Sequence, residues 1–169
     1  MNYPAFPLPH LFRISHHGFA SLYENKITGE KSLHATVPYQ QGNVFATFEA
    51  SEILPSPNKY TVQVNDNTHI ILQPEVLQYI NHSCHPNVFF NTTTFELSSI
   101  RDIAAFEELT FFYPSTEWMM ESPFTCFCGN NNCLHDIRGA FFLSAETIAQ
   151  YKFTDFILQK LNISSLQKV

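Results

Sequence analysis

From Ser32 to Phe48 the run SLHATVPYQQGNVFATF carries short apolar stretches broken at Pro38 and at Gln41-Gly42, which predicts a twisted β meander. Tyr60 to Val64 alternates apolar and polar side chains ahead of the turn Asn65-Asp66-Asn67, and His69 to Leu72 follows. That pattern predicts a hairpin. Pro74 to Ile80 has room for about two helical turns with proline in the first, and Pro86 blocks any continuation. Strands are expected again at Val88 to Phe90, Phe95 to Ile100 and Leu109 to Tyr113. Ser144 is an N-cap for a C-terminal helix reaching about Lys160, with Ile148, Tyr151, Leu158 and Leu161 as its apolar stripe. Residues 1–20 read as an extended, proline-punctuated lead-in, and Thr28-Gly29 as a turn. The expected fold is mostly β, an α+β chain with two helices.

Composition narrows this. A chain of 169 residues, 44% hydrophobic and 15% aromatic, buries one core and suits one catalytic domain. Nine Lys and Arg and a net charge of −6 disfavour nucleic acid as a partner and favour a basic protein or peptide. The opening MNYPAFPLPHLFRISHH lacks the basic start and apolar run of a signal peptide, and no apolar stretch approaches a membrane span. A soluble cytoplasmic protein is expected, nuclear if the host is eukaryotic.

In a reducing compartment the four cysteines read as metal ligands rather than disulfides. Cys126-x-Cys128 can place two thiolates on one metal, and the turn-rich loop Gly129-Asn130-Asn131-Asn132 can bring Cys133 round as a third. A tetrahedral zinc needs one more ligand. Cys84, His85 and His135 are the candidates, and four unligated thiols are the plain alternative.

Three segments in order, YINHSCHPNVFF at 79–90, EELTFFYPS at 107–115 and CFCGNNNCL at 126–134, together resemble the SET-domain family of protein-lysine methyltransferases. The resemblance spans roughly residues 30–143. It implies a β-clip of several small twisted sheets with a pseudoknot, a zinc-bound post-SET loop and a C-terminal helix. By position it divides the chain into a lead-in at 1–20, a SET domain at 21–115, a post-SET zinc segment at 116–143 and a helix with tail at 144–169. It also implies S-adenosylmethionine as methyl donor and the side-chain amine of a lysine in a basic protein as acceptor. Asn81 and His82 would meet the donor, with main-chain contacts from Lys31, Ser32 and Leu33, and Phe127 and Leu134 closing over its adenine. Tyr113 matches the family's catalytic tyrosine. Phe111 stands where a phenylalanine leaves room for more than one methyl, and Tyr60 corresponds to a channel-wall tyrosine, although a buried core tyrosine fits its strand as well. Trp118 and Phe124 would line the channel or pack the flap. The family's zinc set corresponds to Cys84, Cys126, Cys128 and Cys133, one structural Zn2+.

Three departures stand out. The family's Gly-x-Gly donor motif is replaced by Glu30-Lys31-Ser32-Leu33-His34-Ala35, its Arg-Phe before Asn-His-Ser-Cys by Gln78-Tyr79, and its Gly before Glu-Glu-Leu-Thr by Phe106. Glycines permit close backbone approach to a ligand. Their loss leaves a second reading, a weak or inactive SET-fold module that binds a peptide and zinc.

Overall fold

The computed structural model describes residues 8–166. Residues 1–7 of the expected lead-in and 167–169 of the expected tail lie outside that range.

The lead-in becomes a strand from Leu11. Strands β1 (Leu11–His16), β2 (Ala20–Asn25) and β3 (Lys31–Ala35) form an antiparallel sheet in the order β1-β2-β3. The Thr28-Gly29 turn joins β2 to β3, with Gly29 at φ +74. The predicted hairpin is present as β6 (Thr61–Asn65) and β7 (Thr68–Gln73), with β5 (Glu49–Leu54) on the far side of β7. The expected helix after Pro74 is a single 3-10 stretch, Glu75–Tyr79, which buries Val76 and Leu77.

The third sheet makes the site. Its order is β4-β10-β9-β11-β8, built from β4 (Val44–Thr47), β8 (Asn81–His82), β9 (Val88–Asn91), β10 (Glu96–Ser99) and β11 (Thr110–Phe111). β11 lies between β8 and β9 and runs parallel to both, so residues 81–91 embrace the strand that leads to Tyr113. Asn87, fully buried, locks this crossing: its amide donates to the Glu108 carbonyl at 2.8 Å and to Glu107, and its Oδ1 accepts the Thr110 N–H at 2.8 Å. A buried amide with donors and acceptor all engaged stabilises one register and penalises any other. Leu33, Phe48, Ile70, Leu77, Phe90, Leu97 and Leu109 form the main core between the sheets.

The C-terminal prediction needs correcting. Ser144 does cap a helix, accepting the Thr147 N–H at 3.1 Å, but α1 (Ala145–Ile148) stops after one turn and α2 (Asp155–Leu166) begins afresh. Tertiary contacts outweigh helix continuation in between. Tyr151 stacks flat on Phe112 at 3.8 Å and donates its hydroxyl to the Cys84 carbonyl at 2.8 Å, and the Thr154 N–H donates to Ser115. The last sheet pairs β12 (Phe124–Thr125) with β13 (Asp136–Ile137), bracketing the cysteine loop. No helix among the described residues is long and apolar enough to cross a membrane.

Candidate active site and metal centre

A cavity of about 1060 Å³ opens between the hairpin sheet, the edge strand β8 and the cysteine loop. Lys31, Tyr60, Asn81, His82, Phe111, Tyr113 and Phe127 all line it, so seven side chains chosen from motifs meet around one space. Ser32, Leu33 and Leu134 do not line it. Leu33 is buried in the core and its carbonyl accepts the Leu109 N–H at 2.7 Å, while the Ser32 hydroxyl bonds His34 two residues along the same strand. With Lys31 to Ala35 paired as β3 against β2, this strand can offer the cavity only its first residue. Gly29 and Glu30, just upstream, are on the wall instead. Leu134 packs behind the cysteines, where its N–H donates to the Cys84 sulfur at 3.4 Å.

Tyr113 sits where β11 ends in a 3-10 turn, Tyr113–Ser115, its N–H held by His82 Nδ1 at 3.2 Å and its hydroxyl directed at the Ile80 carbonyl at 3.4 Å. Burial, then the nearby charge of Glu108, pushes its pKa up to about 12, so it stays a neutral O–H donor. Burial lowers His82 to about 4, leaving a neutral imidazole. Phe111, at 4.6 Å from the Tyr113 ring and 4.7 Å from Phe90, walls the same space. Both amide hydrogens of Asn81 are engaged, with the Lys31 carbonyl and Glu108 at 2.9 Å each. Its side chain therefore ties the cavity walls together, leaving Oδ1 and the outer edge of β8 to face a ligand. Tyr60 is exposed on the rim rather than buried. Phe124 belongs to the channel, edge-on to His82 and Tyr113, whereas Trp118 packs away from it against Phe141. Phe127 is 85% exposed on the cavity wall.

Two carboxylates occupy places for which the sequence motifs assign no role. Glu108 braces Asn81, and Glu117, one turn beyond Tyr113, is buried on the cavity wall. The paired Glu107-Glu108 was visible in sequence as part of a motif, but no spacing marks Glu117.

The sulfurs of Cys84, Cys126, Cys128 and Cys133 lie within 4.8 Å of one another. Tetrahedral zinc with Zn–S near 2.3 Å needs S···S distances of about 3.8 Å, so the set fits with small adjustments. Burial and mutual repulsion raise Cys84 strongly, and chiefly burial takes Cys126 to about 11. Burial opposes ionisation of Cys128 too, yet the Asn130 amide and N–H and neighbouring donors bring it down to about 6. Four crowded sulfurs that cannot all ionise unaided suit a divalent cation, which supplies the missing charge. His135 stands beside Cys133 at 3.9 Å, outside the four-sulfur group.

Residues 10–114 match the SET domain family. Methyltransferase flvH of Aspergillus flavus is 40% identical over 124 residues, covering 71% of this chain and 68% of that protein. Among solved structures, KRYPTONITE in complex with mCHH DNA, an H3(1-15) peptide and SAH aligns over 68% of this chain with a TM-score of 0.52 at 18% identity. The chain spans 28% of that longer one, and this likeness speaks to fold. The parallel crossing around β11, the cavity at Tyr113 and the match over most of the strands agree: this chain belongs to the SET-domain family.

Proposed function

We propose that the protein transfers a methyl group from S-adenosylmethionine to the side-chain amine of a lysine in a basic protein, with one structural zinc held by Cys84, Cys126, Cys128 and Cys133. The observation that carries this is the convergence of Asn81, His82, Phe111 and Tyr113 on one cavity beside the four-sulfur group. The name of the Aspergillus relative supports methyl transfer, and the peptide and SAH in the KRYPTONITE complex are consistent with peptide and donor sites of this kind.

When bound, the donor supplies an electrophilic methyl on a sulfonium. Edge strand β8 and Lys31 would receive it on one wall, with Phe127 closing over its ring. The neutral Tyr113 hydroxyl would orient the incoming amine, using its lone pairs while its proton remains engaged. Phe111, Phe124 and Ile80 would exclude water, and desolvation favours the uncharged, nucleophilic amine. The amine lone pair would take the methyl as the C–S pair returns to sulfur, and the extra proton on nitrogen would be lost to solvent. The zinc would pin the 126–133 loop to Cys84, whose carbonyl also holds Asn132 and Tyr151.

Radiolabelled methyl transfer to a panel of basic proteins tests this, with Tyr113→Phe alongside. Wild-type labelling reduced at least 100-fold in the mutant is expected. Equal labelling by both proteins removes Tyr113 from the role, and donor binding without labelling of any protein would favour a peptide-holding module.

A further inference from the structure

Glu117 is only 8% exposed, yet it lines the cavity. Its Oε1 accepts the Gln63 N–H at 2.9 Å and the Thr116 hydroxyl at 3.2 Å. Its Oε2 accepts no hydrogen bond among the described residues, and Glu117 is on the cavity wall. Glu117 takes part in no ion pair among the described residues. The two lysines that share the cavity are turned elsewhere: Lys31 lies over the Tyr79 ring at 5.0 Å and Lys59 over the Tyr60 ring at 4.7 Å. Val62, Leu72, Leu77, Ile80 and Met120 share the walls with polar residues, among them Thr61, Gln78 and Glu121.

A carboxylate is a costly choice for a purely structural acceptor here. Capping the Gln63 N–H needs one oxygen, which a neutral amide would provide without burying a charge. The position also suits an acceptor site. Glu117 is tied by the Gln63 N–H to β6, the strand that also gives Thr61 and Val62 to the cavity next to Tyr60, whereas the donor is assigned above to Lys31, Asn81 and His82.

We propose that Glu117 is the cation anchor of the acceptor site, its free carboxylate oxygen holding the ammonium head of a primary-amine substrate as it enters. This rests on the amine-methylation reading above and names Glu117 as a positioning residue for it. Burial outweighs the Gln63 and Thr116 donors and takes the Glu117 carboxyl up to about 7. An ammonium at contact distance restores the charged form, because an opposite charge close by favours ionisation. The anchor thus needs its ligand to be fully charged, which selects cations over neutral groups of the same shape.

Trp118, the chain's one tryptophan, adjoins Glu117 and reports on it by fluorescence. Zinc-loaded full-length protein is titrated with n-pentylammonium and, separately, with 1-pentanol, a neutral probe of similar length. The wild type is expected to bind the cation at least tenfold more tightly than the alcohol. Glu117→Gln, which keeps the oxygen facing Gln63, should weaken the cation at least tenfold and leave the alcohol unchanged. An equal response to both probes in the wild type, an unchanged preference in the mutant, or equal loss of both probes overturns the proposal. A second arm measures methyl transfer to poly-L-lysine, where Glu117→Gln should raise KM for the acceptor at least tenfold and leave KM for S-adenosylmethionine alone. Cation binding without any transfer would remove the methylation reading and leave the anchor standing. Transfer that is indifferent to Glu117→Gln would remove the anchor and leave the reading.

Discussion

Glu117 shows how a single buried group links the fold to pH. A carboxyl titrating at about 7 in the fold and near 4.5 when exposed weakens the structure as pH rises through that window. The unfolded chain has by then released a proton that the folded chain still holds. Glu117→Gln should therefore stabilise the protein at pH 8 by an amount on the order of 3 kcal/mol, and the gain should vanish near pH 4. Urea unfolding at the two pH values checks this; an equal effect at both would refute it. Phe111 permits a second residue-level prediction. Its ring is wedged between Phe90 and Tyr113 on the cavity wall, so Phe111→Tyr would add a hydroxyl where the proposed acceptor amine would sit. Mass spectrometry should then show a shift toward the singly methylated product. That Tyr113 and Phe111 would meet at one cavity and Cys84 join the other cysteines was legible in sequence because each sits in a motif with fixed neighbours. The placement of Glu117 was not, since it depends on Gln63, 54 residues away, donating to it across the fold.

Among the elements, hairpin β6-β7 was readable because its alternation and its Asn65-Asp66-Asn67 turn are local signals. The C-terminal helix was misread for the opposite reason: the break between α1 and α2 comes from Tyr151 seeking Phe112 and Cys84, which local periodicity cannot register. The segment after Tyr113 depends on one tight approach. Residues 117–120 pair with 138–141 through Ala140 N–H to Glu117, Phe141 N–H to Trp118 and Met120 N–H to Arg138. Gly139 lies within that pairing at φ +117, and a Cβ there would stand 2.6 Å from the Trp118 carbonyl oxygen. Gly139→Ala should cost about 3 kcal/mol or more, from both the clash and the left-handed backbone, and an unfolding midpoint like the wild type's would contradict this. Phe106 is the converse case, a non-glycine at φ +67 where the family carries glycine. Its backbone is held by the Phe106 N–H to Ala35 and by His34 on its carbonyl.

For the whole molecule, the sulfur cluster joins parts far apart in sequence. Cys84 lies just beyond β8, the other three between β12 and β13, and the Cys84 carbonyl receives Tyr151 from the C-terminal segment. Metal removal should therefore loosen the cavity and the C-terminal segment together. If zinc contributes about 4 kcal/mol, chelation should lower the melting temperature by roughly 10 °C. Cys84→Ser should behave like the chelated protein, and an unchanged melting temperature under chelation would count against a structural metal. The crossing at β11 was expected from the family resemblance of the three motifs, but the make-up of the wall proposed for the donor was not. With the family's glycines absent, its geometry rests on Gly29, Lys31 and Asn81, whose contacts only the folded chain displays. That wall is where the account is most directly tested, by calorimetric titration of the zinc-loaded protein with S-adenosylhomocysteine. Saturable binding at one site per chain, lost in Cys84→Ser, is the predicted result; no binding by the zinc-loaded wild type would contradict the assignment of this cavity to methyl transfer.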